Sequence, residues 1–317
     1  MIEEEDEIII NKIYEVLKTQ NITADKVELY YKKDQCLAYL IDCKYIMRIS
    51  KSGSNEHRKQ KRVHTVSNVP KVYSDGSFSF SGQTCHYSVS DYVQGEELYG
   101  VLQELTEEQQ ISIGRDIAEF LTELHSITGS SYDIGHYIPT IPEYGRSWKE
   151  GHKEYAEYLR KALSEMEIDS ESEKAVSAAL EYIDTNIDCL DYQTGARLLH
   201  NDFHPKNIIV NNGKISGVID WECSQFGEED FELAHLFHWC IYPPDQGKEF
   251  GALLGAIVEN LGVIHRIPNF DKRLTIYQLE HELNQLIWNG KNQLEERTNR
   301  MNGWLNGQIN SLLAEWI

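Results

Sequence analysis

Between Ile208 and Asp220 the chain spells a β-hairpin. Apolar Ile208-Ile-Val210 leads into the polar turn Asn211-Asn-Gly213, and Ile215-Ser-Gly-Val-Ile-Asp220 leads out of it. Asn-Gly between two apolar runs is the strongest short-range hairpin signal, because the favoured turn needs positive φ at both central residues. The hairpin constrains its own ends. Asn207 stands just before the first strand and Asp220 closes the second. In an antiparallel pair those two positions share the open end, so an amide oxygen and a carboxylate are brought together. A further carboxylate, Asp202, lies on the loop immediately upstream, in Leu199-His-Asn-Asp-Phe-His-Pro-Lys-Asn207.

Hard oxygen donors held close to one another suit magnesium, which takes few protein oxygens and completes its shell with water and phosphate. A separate carboxylate facing a hydroxyl can accept its proton. One base with two metal ligands is the arrangement that phosphoryl transfer uses. Asp and Asn also cap turns on surface hairpins, and any one of these residues alone reads that way. The full spacing, His200-x-Asp202-x-x-x-x-Asn207 followed by the strand-ending Ile219-Asp-Trp221, favours the chemical reading.

The flanking sequence divides in character. Apolar positions at helical spacing (Ile9, Ile10, Ile13, Val16, Leu17) predict an opening helix. Cys36-Leu-Ala-Tyr-Leu-Ile and Tyr45-Ile-Met-Arg-Ile, joined by Asp42-Cys43-Lys44, predict a second hairpin. A helix-compatible stretch over 55–66 and strand-like runs from Lys71 and Cys85 complete a small antiparallel sheet with one inserted helix. After Gly95 the chain turns helical. Thr106 and Gln109 form a capping-box signature, and Ile113, Ile117, Phe120, Leu121 and Leu124 then fall on one face. Helices are also expected over 150–167, 173–187, 248–262, 272–289 and 293–315. The expected fold class is α+β, with an N-terminal lobe over 1–92 and a C-terminal lobe over 93–317.

With 51 acidic against 30 basic residues the chain carries a formal charge of −21. Such a surface argues against nucleic acid and anionic lipid as partners, since both need positive footprints. It favours a small polar, cationic substrate or serves solubility alone. The six cysteines form no C-x-x-C pair and no zinc-ligand spacing. They fit the reduced thiols of a cytoplasmic protein. The N-terminus is acidic where a signal peptide is basic, and no apolar stretch is long enough to span a membrane.

His200-Asn-Asp202-x-x-x-x-Asn207 resembles the catalytic loop of the aminoglycoside and choline phosphotransferase superfamily, relatives of protein kinases, and Ile219-Asp-Trp resembles that family's metal-binding segment. Gly227-Glu-Glu-Asp-Phe-Glu-Leu-Ala-His-Leu-Phe is similar to the helix that follows, with Glu232 where an Asp is usual. Towards the hygromycin B phosphotransferase branch the likeness runs from Asn207 through Gly213, Val218-Ile-Asp-Trp221, Phe226-Gly227 and Phe237-x-Trp239, and resumes at Arg273-Leu-x-x-Tyr277 and Leu283-x-Gln285-Leu286. In looser form the resemblance covers most of the chain. The resemblance implies a protein-kinase-like two-lobed fold. It makes Asp202 the base, Asn207 and Asp220 the Mg2+ ligands, His200 a brace of the loop, and His204 and Pro205 residues that shape it. It implies ATP or GTP as phosphate donor. Arg48 takes the place of the usual phosphate-binding Lys, and Arg can still clamp phosphate oxygens, with Glu56 as its helix partner. Ser90-Asp-Tyr-Val93 is similar to the hinge that hydrogen-bonds the purine, which makes Asp91 and Val93 nucleotide-binding candidates.

Two departures stand out. The family's nucleotide loop carries glycine so that backbone can approach phosphate, whereas Tyr30-Tyr-Lys-Lys-Asp-Gln35 has none. In place of the acidic cluster of several aminoglycoside kinases the chain offers His235, His238, Trp239, Cys240 and Tyr242, aromatics able to stack on a sugar or face an ammonium group. Glu280, His281, Glu282 and Gln285 are read as further pocket candidates or as surface residues of a later helix. The acceptor implied first is an aminoglycoside-like aminocyclitol. Choline, ethanolamine, a macrolide or another metabolite, and a non-catalytic nucleotide-binding role, stay open, since a fold does not name a substrate.

Overall fold

The computed structural model describes residues 2–33, 36–50, 59–133, 147–242 and 250–316. It contains two compact units, Met1–Leu98 with Lys206–Cys223, and Tyr99–Pro205 with Ser224–Ile317. The boundary read from the sequence, at 92/93, is a single cut. Packing instead carries residues 206–223 back into the first unit, because a strand at Glu96–Glu97 pairs with the 208–220 hairpin.

In the first unit, helix α1 (Ile2–Thr19) leads into an antiparallel sheet of five strands. These are β1 (Val27–Lys33), β2 (Cys36–Ile41), β3 (Tyr45–Ser50), β4 (Val72–Phe80) and β5 (Gln83–Asp91), in the order β1-β2-β3-β5-β4. Tyr39, Met47 and Val89 align across three strands and are wholly buried. With Ile41 and Ile49 they join Ile9, Ile13, Val16 and Leu17 of α1 in one apolar cluster. Side chains alternate along a strand, so Arg48, between Met47 and Ile49, belongs to the other face. The β2–β3 turn has positive φ at Asp42 (49°) and Cys43 (53°). The Asp42 carboxylate accepts the Lys26 N–H at 2.7 Å, which ties the start of β1 to this turn. The helix expected over 55–66 is described only from 59, where one helical step runs into a 3-10 turn at Lys61–Val63.

Strands β6 (Glu96–Glu97), β8 (Ile208–Asn211) and β9 (Lys214–Val218) form a second small sheet, ordered β6-β8-β9. Asn212 and Gly213 take φ of 51° and 74°, the turn that Asn-Gly predicts. Gly95 lies so close to β8 that a Cβ on it would stand 2.3 Å from the Val210 carbonyl oxygen.

The second unit is mostly helical. Helix α2 (Glu107–His125) starts at the expected capping box of Thr106 and Gln109, and α3 (Trp148–Ser164) starts at another, Ser147 and Glu150. The longer helices that follow among the described residues are α4 (Ser170–Asn186), α5 (Glu232–Ile241), α6 (Gly251–Leu261), α7 (Phe270–Asn289), α8 (Leu294–Leu305) and α9 (Gln308–Trp316). The single helix expected over 293–315 is broken at Asn306-Gly307, where Gly307 has φ of 84°. Two three-residue strands, β7 (Arg197–Leu199) and β10 (Gln225–Gly227), pair antiparallel on either side of the Asp202 loop and hairpin in sequence. The unit's hub is Arg273, with no solvent exposure. Its guanidinium donates to the Asp230 carboxylate at 2.5 and 2.9 Å and to the carbonyls of Cys189 and Tyr192 at 3.1 and 2.8 Å. A charge so deep is tolerated only when its donors are satisfied.

Candidate active site

Asp202 belongs to the second unit, and Asn207 and Asp220 to the first. The Asp202 loop begins where β7 ends, and a distant carboxylate holds it there. Glu232, at the start of α5, accepts the backbone N–H of His200 at 2.6 Å and of Asn201 at 2.9 Å. These donors are buried and would otherwise be orphaned. Asn201 sits at φ of 64°, a conformation Asn tolerates better than most residues. His200 Nδ1 accepts the Asp202 N–H at 3.3 Å, so the loop braces itself as the sequence reading expects. Phe203 is buried and stacks on Phe120 of α2, with centroids 5.9 Å apart.

The Asp202 side chain is about one third exposed. Its Oδ1 lies 3.5 Å from His204 Nε2 and 3.9 Å from His235 Nδ1. Burial alone would raise this carboxyl; His204, His235 and His200 outweigh it and bring it down to about 2. Asp202 is therefore a carboxylate at neutral pH, the state a proton acceptor needs. Burial lowers His235 to about 4, against the opposing pull of Asp202.

In the first unit the hairpin's open end closes as expected, with the Ile219 N–H donating to the Asn207 carbonyl at 2.9 Å. The Asn207 side chain is buried. Asp220 takes φ of 68°, unusual for a residue other than glycine, and the Trp221 indole N–H bonds back to the Val218 carbonyl at 2.9 Å to secure that turn. Asp220 Oδ1 is buried without a hydrogen-bond partner. A buried polar atom in that state costs free energy unless something else satisfies it. The donor set, one amide oxygen and one carboxylate, fits magnesium. Among the described residues no group of three or more His, Cys, Asp or Glu is arranged to hold a metal ion.

Arg48 lies opposite Ala38 and Ser88 in the sheet register, on the face away from α1. Glu56 lies outside the described residues, as do Asp34 and Gln35 of the glycine-free loop. The Asp91 carboxylate accepts the Lys71 N–H and the Tyr73 hydroxyl at 2.9 and 2.8 Å, and the Asp91 N–H goes to the Lys71 carbonyl. Asp91 thus secures the start of β4 through its side chain and its N–H. Val93 packs over Gly217 of β9, where a Cβ would come within 2.6 Å of it.

The residues beyond α5 differ from the surface reading. Glu280 and Glu282 are buried. Glu280 pairs with His152 at 2.8 Å and Glu282 with Arg297 at 2.8 Å. Arg300 donates to His238 Nε2 at 3.1 Å, and His238 Nδ1 lies 3.2 Å from Glu282 Oε1. Glu280 and Glu282 lie on different sides of α7, which is buried nearly all round, so their charges are paired inside the unit. Trp239 is half-buried and stacks on His204, with centroids 4.4 Å apart and planes 24° apart. The grip of Glu232 on the loop and the approach of His235 to Asp202 had no signal in local sequence.

A first unit built on a five-stranded antiparallel sheet, with the 208–218 hairpin in a smaller sheet of its own, and a mostly helical second unit carrying the Asp202 loop make up the fold of kinase-like phosphotransferases. The structure is similar to aminoglycoside phosphotransferase APH(4)-Ia in ternary complex with AMP-PNP and hygromycin B, a thermostable mutant. The TM-score is 0.67 and the identity 19%, over 93% of this chain and 98% of that one. It is similar also to the GDP complex of aminoglycoside 2′-phosphotransferase-IIIa, with TM-score 0.68 and 14% identity over 94% and 99%. Residues 39–256 match the phosphotransferase enzyme family, APH, and the chain belongs to that family. A curated relative, hygromycin-B 4-O-kinase of Escherichia coli, is 27% identical over 173 residues. That alignment covers 54% of this chain and 48% of the relative, so the chain matches about half the length of that protein.

Proposed function

We propose that the chain is a small-molecule kinase that transfers the γ-phosphate of ATP or GTP to a hydroxyl of an aminoglycoside-like aminocyclitol. Asp202 orients and deprotonates that hydroxyl. Asn207 and Asp220 hold Mg2+, which when bound neutralises charge on the phosphates. Arg48 clamps phosphate oxygens, with Glu56 as its helix partner. The Asp91 carbonyl and the Val93 N–H meet the purine. The acceptor is small, polar and cationic, in keeping with the charge of −21. No helix among the described residues is long and apolar enough to cross a membrane, and the proposed location is the cytoplasm.

The observation that carries this reading is Asp220. In a chain of the phosphotransferase family, a carboxylate held at φ of 68° keeps Oδ1 buried and unpaired at the hairpin end that also carries Asn207. Structural economy alone does not account for such an atom. The relatives' bound nucleotides and hygromycin B support the donor and the acceptor class.

The test is a coupled nucleotide-consumption screen over aminoglycosides, choline and neutral sugars, with ATP and GTP in parallel. Acceptor-dependent turnover is expected, greatest for an aminoglycoside and lowered at least about a hundredfold in Asp202→Ala, the low end for losing a positioned general base. The glycine-free loop after Tyr30 favours one other reading, a nucleotide-binding protein without turnover. Magnesium-dependent binding with no acceptor-dependent consumption would establish it in place of the kinase.

A further inference from the structure

Two of the imidazoles near Asp202 face the same carboxylate oxygen. His204 Nε2 stands 3.5 Å from Oδ1 and His235 Nδ1 3.9 Å from it. The His204 ring is engaged on its face as well, stacked on Trp239, which in turn meets Tyr99 edge-on at 5.6 Å. The residue between, Phe203, is anchored in the core against Phe120 and against the His200 ring at 5.9 Å. His204 is therefore held from two directions, by buried backbone on its own loop and by an indole on α5. Its ring cannot turn without leaving either the carboxylate or the stack.

We infer that His204 is a positioning residue for the proposed transfer. It holds Oδ1 of Asp202, leaves Oδ2 to take the acceptor's proton, and links the orientation of the base to the indole of Trp239. The inference rests on the phosphotransfer reading. In that transfer the acceptor O–H gives its proton to Oδ2, and the freed oxygen forms the new O–P bond. The bond from γ-phosphorus to the bridging oxygen breaks, and its electron pair leaves on the nucleoside diphosphate. A carboxylate with one oxygen tethered presents the other in a fixed direction, and fixed direction is what a positioned base contributes. To face Oδ1 as a donor, Nε2 must carry the ring proton. Glutamine places an amide N–H near the position of Nε2, whereas alanine places nothing there. The titratable groups facing Asp202 among the described residues of its unit are His204, His235 and His200, and the last already accepts the Asp202 N–H.

The experiment compares the parent with His204→Ala, His204→Gln and Trp239→Phe. Steady-state kinetics are measured with the best acceptor of the screen, and the Asp202 carboxyl is titrated by carbon NMR, assigned by its loss in Asp202→Asn. His204→Ala is expected to lower kcat at least about tenfold, with KM for nucleotide changed less than about threefold. Its Asp202 carboxyl should titrate at least one pH unit higher than in the parent. His204→Gln should recover most of both effects, and Trp239→Phe, which keeps a stacking face, should lie between parent and His204→Ala. A merely structural histidine would lower the melting temperature of His204→Ala and leave the carboxyl titration and kcat where they were, and that result overturns the inference. So does a His204→Gln variant as impaired as His204→Ala. Parent protein with no acceptor-dependent turnover overturns the phosphotransfer reading and takes the inference with it. An active parent with an unaffected His204→Ala overturns the inference alone.

Discussion

The carboxylate of Glu232 accepts the backbone N–H of His200 at 2.6 Å, across 32 residues of sequence. With the Asn201 N–H on its other oxygen it acts as a bidentate cap on a loop instead of a helix. Hydrogen bonds to a charged acceptor contribute about 1.5–3 kcal/mol each, and a buried donor left without a partner costs a similar amount. Glu232→Ala should therefore lose roughly 3 kcal/mol or more of stability. Turnover should fall with it, because the same loop carries Asp202. Glu232→Gln keeps one acceptor oxygen and should lie between. Urea unfolding and kcat for the three proteins check this, and an alanine variant as stable and as active as the parent would remove Glu232 from the loop's support.

Asp220 separates function from stability. Its carboxylate sits at positive φ with one oxygen buried and unpaired. Asparagine tolerates that backbone conformation and removes the charge. Asp220→Asn should melt at or above the parent's temperature and lose magnesium-dependent nucleotide binding. Asn207→Ala should weaken that binding less, since a neutral amide attracts a dication less strongly than a carboxylate does. Magnesium titrations in the presence of a non-hydrolysable nucleotide decide the matter. Equal apparent magnesium affinity in parent and Asp220→Asn would take this residue out of the site.

The same residues show what a linear reading can and cannot reach. The hairpin was legible because Asn212-Gly213 specifies its own turn and the strands beside it pair locally. Asn207 and Asp220 follow from that geometry, and Asp202 from its five-residue spacing before Asn207. The opening helix and the α2 capping box were legible for the same reason, as signals contained within a few residues. Glu232 and His200 meet across 32 residues, and Arg273 and Asp230 across 43. No periodicity encodes such pairs; they exist only once α5 and α7 have packed. Strands β7 and β10 are three residues each, too short to alternate visibly. The buried acids Glu280 and Glu282 read as surface because charge usually lies there, and only their partners His152 and Arg297 make burial tolerable.

His235 should give the protein a measurable pH dependence of stability. Burial holds it at about 4, below its ordinary 6.5, so between those values the folded ring is neutral and the unfolded ring is protonated. The unfolded state then binds more protons, and stability falls as pH drops through that window. The slope is at most about 1.4 kcal/mol per pH unit for one such group. His281 is displaced in the same direction, mainly by burial, and adds to the fall. Asp202 acts in a different range, since its stabilising contribution is lost only as pH falls from its ordinary 3.8 towards about 2. Urea unfolding at pH 7, 6 and 5 should show a smaller loss in His235→Gln than in the parent. Parallel curves for the two would mean that His235 titrates alike in both states.

The charge of −21 makes the last prediction, which concerns the acceptor. A cleft surrounded by charge of one sign concentrates ions of the other and speeds their encounter. A polycationic aminocyclitol should be steered in this way, and a neutral sugar or macrolide should not. Steering weakens as the Debye length shrinks from about 30 Å at 0.01 M salt to about 10 Å at 0.1 M. Over that range kcat/KM for the true acceptor should fall, mostly through KM, while kcat stays nearly level because the chemistry takes place after capture. Measuring kcat/KM for each active acceptor at several ionic strengths, with magnesium and nucleotide saturating, separates the cases. A flat profile for a polycationic acceptor, or a neutral compound as the best acceptor, would reduce the acidic surface to a solubility device. The aminoglycoside reading would then stand on family likeness alone.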